Sequence, residues 1–143
     1  MPHLVILYTG QLDQAVNMTS LCRQLADAML TVKDESGKQV FPTGGTRVLA
    51  YPAPHYAIAD GGAAGMAAGG DGDYAFAYLN LRTGRGRSEA THKHAGETLL
   101  AVVHSFFAPL MATKHIGVTL QIDVGQEVFD AKHSSLHPLF NKA

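Results

Sequence analysis

Apolar side chains run unbroken from Leu4 to Leu7 and close on Tyr8, a short β-branched run that predicts a buried strand over 3–8. Thr9-Gly10-Gln11 reads as a turn. From Asn17 the period lengthens, with Met18, Leu21, Cys22, Leu25, Met29 and Val32 at helical spacing behind a good N-cap residue. The polar stretch 33–38 stops that helix. Residues 46–51 predict a second strand, which Pro52 and Pro54 make an edge or a bend, with 55–60 as an irregular extension.

The pattern then repeats. Residues 74–81 predict a strand and 82–87 its turn, after which Ser88 caps a helix carrying Glu89 in its first turn. Ala95, Leu99, Val102, Phe106 and Leu110 form that helix's expected buried stripe, and Pro109 is expected to disrupt its last turn. Ile116, Val118, Leu120, Ile122 and Val124 alternate with small or polar residues, as in a half-buried strand. Between the halves, residues 61–72 are glycine- and alanine-rich and match no phosphate-loop pattern, so composition predicts a mobile surface loop.

A parallel strand pair joined by a helix makes a right-handed crossover. Two such β-α-β units in tandem predict one α+β domain over 1–143, with pseudo-repeats at 2–60 and 73–124 and a tail at 125–143. The units would form a four-stranded sheet with both helices on one face. The other face is expected to be bare and apolar, and so to meet another subunit. The tail is expected to pair with or wrap a neighbour.

Composition narrows the function classes. A net charge of −1 gives no electrostatic reason to expect nucleic acid or an anionic membrane. One cysteine, Cys22, rules out an internal disulfide and suits a reducing cytoplasm. The apolar opening lacks a basic leader and a cleavage pattern, and no run approaches the ~20 residues of a membrane span.

Pro2 is the odd residue in this scheme. Removal of Met1 would leave it as a secondary amine on a rigid ring at the head of a strand. A free α-amine titrates near pH ~7.7–8.0, and burial and nearby cations lower that value. Such a group is a neutral base at physiological pH. The plainer reading is that proline simply tolerates a strand's first position.

The motifs Met1-Pro2-His3, Phe41-Pro42 with Gly45 and Arg47, Ala59-Asp60-Gly61 and Asp73-Tyr74-Ala75-Phe76 occur in order along the chain. Gly86-Arg87-Ser88, Ala95-Gly96-Glu97, Phe106-Phe107-Ala108 and Leu136-His137-Pro138-Leu139-Phe140 continue the series. Together they resemble the tautomerase superfamily, and within it the 5-carboxymethyl-2-hydroxymuconate isomerases, over nearly the whole chain. The resemblance implies the tautomerase (MIF-like) fold, a cytoplasmic homotrimer and a cofactor-free isomerase of aromatic catabolism. It implies Pro2 as acid/base, Arg47 and Arg87 as substrate-binding residues for a small dicarboxylate, and no metal or organic cofactor. A related activity, such as enolpyruvate tautomerisation or dehalogenation, or a non-catalytic trimeric carboxylate binder, is the alternative.

The residue types suit that chemistry independently. Moving a double bond beside a carbonyl needs one group that accepts a proton and returns it nearby. Dicarboxylates call for permanently charged, planar donors, which arginine supplies. Arg82 and Arg85 share the turn of Arg87 and read first as solvated loop charges, second as help for another carboxylate. Leu49 stands where relatives tend to carry a further arginine. Eight histidines raise a metal site. His92 and His94 fall on different helix faces, however, and His133 and His137 lack spaced partners. Cys22 reads as a packed small hydrophobe.

Overall fold

The structure, a computed structural model, describes residues 2–140. Met1, whose removal the reading of Pro2 requires, and tail residues 141–143 lie outside them. Strand β1 (His3–Thr9) leads through a 3-10 turn to helix α1 (Met18–Thr31) and strand β2 (Arg47–Ala53). Short helix α2 (Ala63–Ala67) precedes strand β3 (Ala75–Thr83), helix α3 (Glu89–Met111) and strand β4 (Ile116–Val124). The sheet order is β2-β1-β3-β4, with β1 parallel to β2, β3 parallel to β4, and β1 antiparallel to β3. These are the two expected β-α-β units, back to back, with α1 and α3 packed together on one face.

Both helices begin where the caps predicted. The Asn17 side chain accepts from the Ser20 N–H at 3.0 Å, and Ser88 Oγ accepts from the Thr91 N–H at 3.1 Å. Under the helices, alternate strand residues Leu4, Ile6, Leu79 and Leu81 are fully buried with Leu21, Leu25, Leu99 and Phe107. Each such side chain contributes roughly 1.5–3 kcal/mol of burial energy.

The structure departs from expectation in four places. The buried line of α3 is Ala95, Leu99, Val103 and Phe107, four residues apart, while Val102, Phe106 and Leu110 sit half-buried on its flank. Pro109 does not end α3, which continues to Met111. Pro109 is exposed and one turn from the helix end, and the Ser105 carbonyl it deprives of a donor belongs to an exposed residue. Residues 61–72 are folded rather than loose. Asp60 accepts from the Gly62 and Ala64 N–H groups at 3.0 Å each, and Gly65 N–H donates to the Tyr74 hydroxyl at 2.8 Å. Gly62 sits at φ 109°, and a Cβ there would run into the Gly72 carbonyl.

The fourth departure is the sheet's open face. It is uncovered within the protomer, as expected, but only its β1–β2 half is apolar, with Leu7, Leu49 and Tyr51 about half exposed. Across β3 and β4 it is polar. The Tyr78 hydroxyl donates to Gln121 Oε1 at 2.8 Å and Asn80 Nδ2 donates to Asp123 Oδ2 at 2.8 Å. Cross-strand hydrogen bonds of this kind stabilise a solvated sheet face without burial.

Candidate active site

The starts of β1 and β2 and the ends of β3 and β4 meet at one end of the sheet. Pairing there is continuous: His3 lies opposite Arg47 on β2 and Arg82 on β3, and Arg82 lies opposite Asp123 on β4. Side chains at paired positions share a face. Arg47, His3, Arg82 and Asp123 thus form one row across the open face. Pro2, one residue earlier, has the parity of Leu4 and is buried towards the helices. Carrying the antiparallel pairing one residue further sets Thr83, itself fully buried, across from Pro2.

Thr83 leads to Arg87. Gly86, at φ 108°, swings the turn so that the guanidinium folds back under the sheet end. Arg87 Nη1 donates to Thr83 Oγ1 at 3.0 Å and to the Gly84 carbonyl at 3.5 Å, while Nη2 donates to the Val40 carbonyl at 2.7 Å. The guanidinium also lies 5.6 Å from the centre of the buried Phe41 ring. A guanidinium has five N–H donors, so Nε–H and one Nη2 hydrogen stay outside these bonds. Beside it, Glu35 accepts from Ser88 Oγ at 2.7 Å and Thr91 Oγ1 at 2.5 Å at the start of α3. The Thr91 and Ser88 hydrogen bonds hold the Glu35 carboxyl below its ordinary pKa. These contacts tie the 33–41 loop of the first half to the turn and helix start of the second.

On the open face, burial and the neighbouring Arg47 guanidinium push the His3 pKa below its usual value, leaving the imidazole uncharged at neutral pH. Parts of the tail pack on this end of the protomer. Gly125 N–H donates to the Thr83 carbonyl at 2.7 Å, and Arg85 Nη2 donates to the Glu127 carbonyl at 3.3 Å. Asp130 acts electrostatically on His3, and His137 and Phe140 pack over Gly44, just before Arg47. Beside β2, a cavity of about 610 Å³ is lined by Arg47, Thr46, Arg23 and Phe140. The far end of β1 carries the Tyr8 hydroxyl, which donates to Asp13 at 2.6 Å; its pKa is pushed up to about 12 by burial and that bond.

All three residues singled out in the sequence therefore meet at one sheet end, with Arg87 on the Pro2 side and Arg47 on the opposite face. At the other end of the sheet, Gln11 Nε2 donates to the Tyr74 carbonyl at 2.6 Å. Sequence reasoning missed His3, Thr83 and the Val40 carbonyl, and it set Arg82 aside. Parity was the available signal, because His3 and Arg82 fall on the Arg47 face only once the strands are paired. Among the described residues, no group of three or more His, Cys, Asp or Glu is placed to hold a metal ion.

Two parallel β-α-β units joined antiparallel, with helices on one face and a proline heading the first strand, define a tautomerase-fold protein. The sequence profile of the 5-carboxymethyl-2-hydroxymuconate isomerase family matches residues 2–140, and the chain belongs to that family. It is an isomerase. It is similar to a crystal structure of a 5-carboxymethyl-2-hydroxymuconate delta-isomerase at 65% identity, covering 100% of this chain and 95% of the other, with a TM-score of 0.97. A 5-carboxymethyl-2-hydroxymuconate isomerase from Deinococcus radiodurans R1 is 30% identical over 99% of this chain and 95% of its own, with a TM-score of 0.80. The 5-carboxymethyl-2-hydroxymuconate Delta-isomerase of Escherichia coli is 23% identical over 140 residues, covering 98% of this chain and 99% of its own.

Proposed function

We propose that the chain isomerises a 2-hydroxymuconate-type dienol dicarboxylate, with the N-terminal amine of Pro2 as acid/base. The observation that carries this is the position of Pro2, heading β1 where arginines from both halves converge. The amine takes the proton of the 2-hydroxyl and returns one to a distal carbon, so the dienol becomes the conjugated ketone with no net change of atoms. Burial and the adjacent cations lower the amine's pKa towards neutrality, where one group serves best as both base and acid. Arg47 and the unused donors of Arg87 hold the carboxylates and the oxygen on which charge develops. The bonds to Thr83 and Val40 fix the Arg87 guanidinium beforehand, so little order is lost when substrate binds.

The same reading places the enzyme in the cytoplasm as a homotrimer acting on small molecules. No described helix is long and apolar enough to cross a membrane. The half-exposed Leu7, Leu49 and Tyr51 and the exposed tail residues Val128, Phe129, Leu136 and Leu139 supply apolar surface for copies of the chain. An ultraviolet assay tests the substrate class. Conversion of 2-hydroxymuconate is expected to exceed that of phenylenolpyruvate in kcat/KM by about tenfold or more, the worth of one charge-assisted contact. A preference for phenylenolpyruvate would overturn the dicarboxylate reading.

A further inference from the structure

The row Arg47–His3–Arg82 puts two guanidinium-bearing positions on either side of β1, on one face, next to Pro2. Two strand spacings separate them, about 10 Å between backbones, and both side chains are long enough to lean inwards. His3 between them is uncharged at neutral pH, so it adds no repulsion and keeps its hydrogen-bonding capacity.

Arg82 is exposed, and no hydrogen bond or ion pair engages it among the described residues. The acids near this row bond other groups: Asp123 Oδ2 accepts from Asn80 Nδ2 at 2.8 Å, and Asp130 pairs with Lys132 at 2.9 Å. Arg87, by contrast, spends donors on Thr83, Gly84 and Val40, which leaves it fewer for a second carboxylate. Arg82 falls on the strand position that mirrors Arg47 across β1.

We propose that Arg82 is a substrate-binding residue that works with Arg47 to select short unsaturated dicarboxylates over monocarboxylates. This rests on the reading of the Pro2 end as the active site. Arg47 and Arg82, one on each side of β1 at the Pro2 end of the sheet, each hold a carboxylate, while Arg87 faces the oxygen on which charge develops.

The test measures kcat/KM of wild type, Arg82→Gln and Arg82→Lys on 2-hydroxymuconate and phenylenolpyruvate, with Pro2→Ala in parallel. Arg82→Gln is expected to lose about tenfold or more on the dicarboxylate, chiefly through KM, and less than about twofold on the monocarboxylate. Arg82→Lys should recover part of the loss. Equal losses on both substrates, or none on either, overturn the proposal, and the monocarboxylate rate serves as the control for folding. Pro2→Ala separates the two readings: unchanged rates on both substrates would contradict the base assignment, whatever Arg82→Gln shows.

Discussion

Pro2→Ala, in protein whose chain begins at residue 2, is expected to lower kcat by roughly 10²–10⁴-fold while KM changes little. The substitution keeps a terminal amine but removes the ring that fixes the nitrogen's direction at the head of β1. Proton transfer depends on that direction and on a pKa near the working pH, and both change when a rigid secondary amine becomes a mobile primary one. Pro2 is buried, but it lies outside the hydrogen-bonded strand, so the sheet and core persist. Steady-state kinetics at saturating substrate read the effect. A kcat within threefold of wild type would remove Pro2 from the chemistry.

Arg87→Ala carries the second large effect, with two separable parts. On the dicarboxylate, kcat/KM should fall by about a hundredfold, since a charge beside the developing oxyanion is worth roughly 2.7–4 kcal/mol at such sites. An uncharged enol should lose far less. The protein should also become less stable by about 1–3 kcal/mol, because the Val40 carbonyl and Thr83 hydroxyl lose their donor. Arg87→Lys would restore the charge but not the fork that spans Thr83 and Val40, so activity should return more than stability does. Denaturant unfolding alongside kinetics on both substrates checks each part. Equal kinetic losses on the charged and uncharged substrates would confine Arg87 to the framework.

Much of the fold was legible because local signals agreed with one another. Alternation in residues 116–124 gave β4, and Asn17 and Ser88 marked both helix starts by their capping chemistry. Pro2 and Arg47 stood out because each opens a strand, and Arg87 because it ends a glycine-bearing turn. Long-range packing stayed hidden. The 61–72 segment looked loose because glycine and alanine carry no periodic signal. In the structure those glycines let backbone approach Tyr74 and Gly72 closely, and a Cβ on Gly65 would come within 2.7 Å of the Tyr74 ring. Pro109 was read by its rule for helix interiors, whereas an exposed last turn leaves the orphaned carbonyl to water. The Arg47–His3–Arg82 row needed a register between strands 35 to 79 positions apart, which no single stretch encodes. The grip of Arg87 on Val40 needed the 33–41 loop to return across the domain.

Proton transfer by Pro2 depends on one covalent fact, because a proline nitrogen held in a peptide bond to Met1 is an amide with no basicity. Intact-mass measurement on active enzyme purified from its native host tests it directly. The expected result is a chain lighter by one methionine residue, beginning at Pro2. Full retention of Met1 in enzyme that turns over at the wild-type rate would contradict it.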